Sequence, residues 1–225
     1  MLKPQKKITK KEIKEDKFVK FALETKAYLE ENSKQVSIVL GAILIIVIGY
    51  LFYSYQHGQT MEKASALLGE AQAEYQNLNN SKAKKLLTEL IDQYSGTRPA
   101  NQGLLLLANI YFNENNTEEA AKYFQQFIDS YGDDDFLMAS GYAGYAACLE
   151  KQKKYAEAAK YYQKAQETAP EFVEAANYLY LAALNLEDAG NFDQARELLQ
   201  KIIDDYPESN RVEDAKAQLI LLASK

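Results

Sequence analysis

Residues 139–172 read ASGYAGYAACLEKQKKYAEAAKYYQKAQETAPEF. Tyr142, Tyr145, Ala146 and Leu149 recur at helical spacing, a polar break follows at 151–154, and the spacing resumes at Ala158, Tyr162 and Ala165, with Pro170 just past the end. The stretch therefore encodes a helix, a turn and a second helix. Outward from it, alanine returns at a near-constant interval, Ala83, Ala120, Ala158 and Ala195, a period of 37 or 38 residues. Around these alanines the same helix-turn-helix pattern is written three times clearly and once faintly. A unit of this kind cannot bury its apolar face alone, so units must stack, and stacking leaves an extended surface for partners.

The second unit reads Leu104, Leu107, Ala108 and Tyr111, then Ala120, Phe124 and Phe127. The fourth reads Leu179, Ala182, Ala183 and Leu186, Gly190 at the turn, then Ala195, Leu199, Ile202 and Pro207. Small residues at Ala108, Ala146 and Ala183 let the first helix of a hairpin approach the second, while the large ones wedge between adjacent hairpins. The first unit, Met61–Gln76 and Ser81–Tyr94, keeps Leu67, Ala71, Ala83, Leu87 and Leu90 but lacks the aromatic positions of the others, as terminal repeats that cap a stack commonly do. Arg211–Ser224 supplies a last amphipathic helix to cover the open end. The expected fold is all-α, a solenoid of about four hairpins over roughly 61–95, 100–133, 139–172 and 176–209 with a cap at 210–224, the whole forming a domain at 57–225. Asn115-Asn116-Thr117, Asp188–Asn191 and Asp133–Asp135 mark turns and helix starts.

Upstream the composition changes. Val36–Tyr53, VSIVLGAILIIVIGYLFY, carries no charge, and eighteen residues at the helical rise span about 27 Å, close to a bilayer core. With Ser54–Gln56 it makes a transmembrane helix at 36–56. Tyr50, Phe52, Tyr53 and Tyr55 gather at its C-terminal end, where aromatic rings prefer the headgroup level. Residues 1–35 hold ten lysines against six acids, whereas 54–225 hold 16 basic and 26 acidic side chains, net −10. The lysine bias predicts a cytoplasmic N-terminus and repeats across the membrane. A cleavable signal peptide fits less well, because its basic region would be 35 residues long and no small-x-small site follows Leu51.

Residues 1–11 are lysine-rich and read as disordered in isolation. From Lys11 to about Asn32 a helical stripe of Phe18, Phe21, Ala22, Thr25, Tyr28 and Leu29 predicts a helix that either lies on the anionic inner leaflet or runs solvated into the span. Within the span, Ser37, Gly41 and Gly49 share a face of small residues, which would permit lateral contact with another membrane helix.

Chemistry is sparse. The chain has one histidine, one cysteine and no tryptophan, so nucleophilic catalysis would depend on His57, beside the membrane. Cys148 stands alone and reads as a packing residue rather than a reactive thiol. There is no phosphate-binding glycine loop and no zinc spacing. The triplet Asp133, Asp134 and Asp135 lacks the alternation and downstream glutamate of a calcium loop and reads as a helix start. No cofactor, metal or catalytic residue is expected, and a domain at net −10 repels nucleic acid.

The small and large register of Tyr142, Tyr145, Ala146, Leu149, Ala158, Tyr162, Ala165 and Pro170 resembles the tetratricopeptide repeat consensus over residues 100–209. Helix ends at 203–209, IDDYPES, echoed at 91–95 and 128–132, resemble the variant common in bacterial envelope proteins. Phe127 and Ile202 depart from the pattern by standing where the third unit has Ala165, and Gly132 stands where Pro170 and Pro207 predict proline. With the lysine-rich stub and one span, the chain resembles the membrane-anchored tetratricopeptide family that includes the ancillary subunit of the bacterial SecYEG translocon.

That resemblance implies a single-pass protein of the bacterial inner membrane with its repeats in the periplasm. Implied partners are SecYEG, periplasmic chaperones and emerging polypeptides, and some members bear on stress signalling. An envelope scaffold for cell-wall or division proteins, or a regulator acting through the cytoplasmic stub, are the alternatives. In such a stack the first helix of each hairpin, helix A, lines the inner groove. By register the groove residues are Leu105, Asn109, Phe112, Ser140, Ala143, Ala147, Glu150, Tyr180, Leu184 and Glu187, with Phe112 and Tyr180 either exposed there or packed between hairpins. Apolar and aromatic side chains among scattered amides and acids suit an extended or helical apolar peptide. Repeat proteins that grip C-terminal carboxylates use lysine and arginine at positions where this chain has Leu105, Asn109, Gly144, Asn177 and Leu181, so an acidic tail is a poor fit.

Overall fold

The computed structural model describes residues 10–132 and 134–223, with side chains from Lys17 onward. The lysine-rich residues 1–9, Asp133 of the acidic triplet and Ser224 of the cap lie outside the described residues. Every regular element among those described is an α-helix: α1 (Lys10–Glu31), α2 (Ser33–Gln76), α3 (Asn80–Gln93), α4 (Arg98–Asn113), α5 (Thr117–Ser130), α6 (Asp135–Lys151), α7 (Tyr155–Thr168), α8 (Ala175–Asp188), α9 (Phe192–Asp205) and α10 (Val212–Leu222).

The chain divides into two units, Met1–Gly58 and Gln59–Lys225. The first holds α1 and the apolar part of α2. By length and composition α2 is the one helix among the described residues able to cross a membrane, and its apolar side chains are bare, Ile45 at 72% exposure. Residues 57–60, His57-Gly58-Gln59-Thr60, are helical, since they contain no proline and only one glycine to interrupt the ladder.

The second unit begins within α2, whose end serves as helix A of the first hairpin. Ala64, Leu68 and Ala71 of α2 share a buried cluster with Ala83, Leu87 and Leu90 of α3. Pairs α4–α5, α6–α7 and α8–α9 follow. The alanines that mark the period in the sequence, Ala83, Ala120, Ala158 and Ala195, have no exposed surface at all, because each lets helix B close on helix A. On α10, Val212, Ala215 and Leu222 join the cluster of Ala195, Leu199 and Ile202, so the cap covers the last hairpin.

All four hairpins turn in the same way. One residue in each turn has positive φ: Leu78 at 61°, Asn115 at 60°, Lys153 at 62° and Gly190 at 79°. The next amide then donates back across the turn, from Asn79, Asn116, Lys154 and Asn191 to the carbonyls of Glu74, Tyr111, Leu149 and Leu186. This is the bond that satisfies an orphan carbonyl at a Schellman helix end. Three of the four positions are not glycine, and each then carries left-handed strain of about 1 kcal/mol that packing of the hairpin must offset.

The departures at Phe127 and Ile202 have a structural counterpart. A Cβ added at Gly141 would lie 2.6 Å from the Phe127 ring, one at Gly144 would run into the Phe124 ring, and one at Gly103 would meet Leu90 Cδ2 at 2.9 Å. Large side chains on helix B thus enter glycine gaps on the next helix A. In the third unit the sizes exchange: Ala165 replaces the large residue, and Tyr178 on α8, at the repeat-equivalent position of Gly141, shares its cluster.

Candidate functional site

The groove residues expected from the register all lie on helix A elements, namely α4, α6 and α8. Asn109 is exposed and the other nine are half-buried. Leu105 and Asn109 are brought together in a shallow pocket of about 550 Å³, walled by the end of α2, by α4 and by Leu137 of α6. The amide of Asn109 donates to the Leu105 carbonyl at 2.9 Å, which fixes its side chain along the helix. Gln72, Tyr75 and Gln76 of α2 line the same pocket, as do Gln102 and Leu106.

Those α2 residues were not anticipated, although a signal for them exists. Gln72 and Tyr75 precede Asn109 and Phe112 by 37 residues, one repeat length. The first hairpin therefore contributes to the face as well as capping it. The expectation that the first unit lacks the aromatic positions is corrected here: Tyr75 stands at the position of Phe112, and its hydroxyl accepts from Asn113 Nδ2 at 3.3 Å.

Phe112 and Tyr180 lie between the two states open to them. Each is half-buried and carries a cation on its ring, Lys151 Nζ at 4.5 Å from Phe112 and the Arg211 guanidinium at 4.9 Å from Tyr180. Such contacts contribute on the order of 1 kcal/mol and cover the ring faces with charge. Ser140 donates to the Phe136 carbonyl at 2.8 Å, which satisfies its hydroxyl within the helix. Ala143 and Ala147 pack against the main cluster.

Glu150 anchors a polar bridge that the register did not foretell. Its Oε2 accepts from Tyr162 Oη at 3.1 Å and from Asn185 Nδ2 at 3.1 Å, tying α6 to α7 and α8. Burial, followed by the nearby Glu150 carboxylate, pushes the Tyr162 phenol well above the ordinary tyrosine range. Glu187 accepts from Gln218 Nε2 at 2.7 Å and so joins α8 to the cap. Leu184 contributes apolar surface between Glu187 and Tyr180. In the first unit, Ser37 donates to the Ser33 carbonyl at 2.8 Å, and open space surrounds Gly41 and Gly49.

Among the described residues no three histidine, cysteine, aspartate or glutamate side chains are grouped to hold a metal ion. His57 stacks against Tyr53 with centroids 5.9 Å apart. Cys148 is fully buried, and desolvation pushes its thiol up to about 12, which keeps it a packing group.

Paired antiparallel helices with alanine at their crossings, repeated at 37 or 38 residues, define an α-solenoid of the class that serves protein–protein interaction. The chain belongs to the tetratricopeptide repeat-like domain family, whose model matches residues 26–176, and a tetratricopeptide repeat model matches residues 149–219. No curated protein matches it. Among solved structures, a tetratricopeptide repeat protein from Parabacteroides merdae is similar with a TM-score of 0.61 at 16% identity, covering 74% of this chain and 61% of that one. MamA from Desulfovibrio magneticus RS-1 is similar with a TM-score of 0.55 at 18% identity, over 72% of this chain and 92% of that one. The pilF protein of Pseudomonas aeruginosa gives 0.55 at 19% identity, over 72% and 69%. At these identities the likeness concerns the fold.

Proposed function

We propose that this protein is a membrane-anchored interaction module of the bacterial inner membrane, with its N-terminus cytoplasmic and its repeats in the periplasm. It acts as an accessory factor at the SecYEG translocon, where the span docks laterally through the Ser37, Gly41 and Gly49 face and the helix A groove takes emerging polypeptides or periplasmic chaperones. The observation that carries this reading is the union in one chain of a lysine-flanked apolar helix with a tetratricopeptide array. The pocket of Leu105, Asn109 and Gln72 supports it, because apolar walls interleaved with amide side chains suit a polypeptide backbone better than a charged tail.

The test is site-specific photocrosslinking in living cells, with probes at Ile45 in the span and at Asn109 in the groove, followed by mass spectrometry. Translocon subunits at Ile45 together with chaperones or nascent chains at Asn109 are the expected result. Lipid alone at Ile45 with cell-wall or division proteins at Asn109 would replace this reading with an envelope scaffold. Dependence of function on residues 1–30 alone would replace it with a regulator acting through the stub.

A further inference from the structure

A second surface lies on the loops that join one hairpin to the next. Phe136, in the first turn of α6, is 52% exposed, and Val173, between α7 and α8, is 83% exposed. Among the described residues of the repeat unit, only Leu78, Ile220 and Leu221 join them as exposed large apolar side chains, so the placement of two on one edge stands out. Phe136, Ala169 and Pro170 wall an indentation of about 380 Å³. Pro170 and Glu171 also border a furrow of about 810 Å³ that runs on past Val173 to Pro207.

Carboxylates rim both hollows. Asp134, Asp135 and Glu171 border the first, and Glu174, Asp205 and Glu208 border the second. Asp134 is occupied in capping α6, where it accepts from the amides of Phe136 and Leu137 at 3.0 and 3.1 Å, and Arg98 stands 3.9 Å from it. Asp135 and Glu171 are exposed and have no ion-pair partner among the described residues. Two cations line the furrow against the four carboxylates of Glu171, Glu174, Asp205 and Glu208, and one of the two, Arg211, is paired with Asp214 at 2.7 Å. An apolar hollow therefore sits in a net negative field, which attracts cations and repels anionic lipid or acidic chains.

We infer that this loop edge docks a polypeptide segment carrying an apolar side chain flanked by lysines or arginines. The apolar side chain enters between Phe136 and Pro170, and the flanking cations reach Asp135 and Glu171. The edge is separate from the helix A groove, since none of the ten groove residues borders either hollow. A client held at both places would be selected by two different chemistries.

The test uses the full chain in neutral phosphatidylcholine nanodiscs and fluorescence anisotropy of a labelled peptide alternating lysine with leucine and phenylalanine. Its counterpart with glutamate for lysine is the control. The lysine peptide binds, the glutamate peptide does not, and the affinity falls roughly ten-fold with added salt and in the Asp135→Lys/Glu171→Lys variant, whose fold is checked by its melting curve. Phe136→Ser, checked by its melting curve, weakens binding similarly, whereas Glu118→Lys, an exposed charge reversal on α5 away from both the edge and the groove, leaves it unchanged. Equal affinity for the two peptides, or lysine-peptide binding unaffected by the Asp135→Lys/Glu171→Lys variant, would overturn the inference.

Discussion

Tyr131 and Tyr206 occupy equivalent helix ends, yet their hydroxyls have different fates. The Tyr206 hydroxyl accepts from Gln166 Nε2 at 2.8 Å and donates to the Pro170 carbonyl at 3.0 Å. Tyr131 is 5% exposed and its hydroxyl has no partner among the described residues; apolar Ile91, packed against its cluster, stands where the fourth unit has the Gln166 amide. An unpaired buried hydroxyl is a liability, while a paired one contributes about 1 kcal/mol. Tyr131→Phe is therefore expected to leave stability unchanged or raise it. Tyr206→Phe, which strands the Gln166 amide, is expected to lower it by about 1–2 kcal/mol. Denaturant melts of the two variants decide the matter, and equal losses would contradict it.

Between neighbouring hairpins, stability rests on matched sizes rather than on any one residue type. Phe127 of α5 fills the gap above Gly141 of α6, and Phe124 that above Gly144. Gly141→Ala places a methyl group against a rigid ring and is expected to destabilise by about 1–3 kcal/mol, the range of overpacking. Phe127→Leu with Gly141→Ala should recover part of that loss, so a double-mutant cycle returns a coupling of about 0.5–3 kcal/mol. Additive losses would mean that the two positions do not share the gap. This matching was only half legible in the sequence. Phe127 stood out as a departure from the repeat pattern, but its compensation lies in the following hairpin, and a pattern read unit by unit does not pair residues across units.

The stack as a whole carries buried phenols and a buried thiol, and these set its response to alkali. Burial raises Cys148 from 9.0 to about 12 and raises Tyr162 and Tyr178 above the ordinary tyrosine value. The folded chain then retains protons that the unfolded chain has released. Their contribution is fully present below about pH 9 and is lost as pH rises through the folded values. The melting temperature is expected to fall progressively between pH 9 and 12, the window set by the thiol, and Cys148→Ala is expected to flatten part of that slope. A melting temperature constant to pH 11 would contradict the burial of these groups. Because each hairpin touches only its neighbours, the loss should begin around α6 to α8, where Cys148, Tyr162 and Tyr178 lie.

The all-helical solenoid was readable from one dimension because its determinants are local. A 3.6-residue apolar stripe, an alanine at each crossing and a polar break between helices recur at a fixed period, and each acts within one hairpin. An uncharged stretch of bilayer length is likewise a property of consecutive residues. Contacts between hairpins were settled only in three dimensions. The Glu150 bridge to Tyr162 and Asn185 joins three helices, and the pocket on α4 needed Gln72 and Tyr75 from a helix whose first part is the apolar span. The acidic edge at Phe136 and Pro170 joins residues more than thirty positions apart. Along the furrow that continues from it to Pro207, which side chains meet depends on how one hairpin packs on the next, through pairs such as Phe127 with Gly141 and Ala165 with Tyr178.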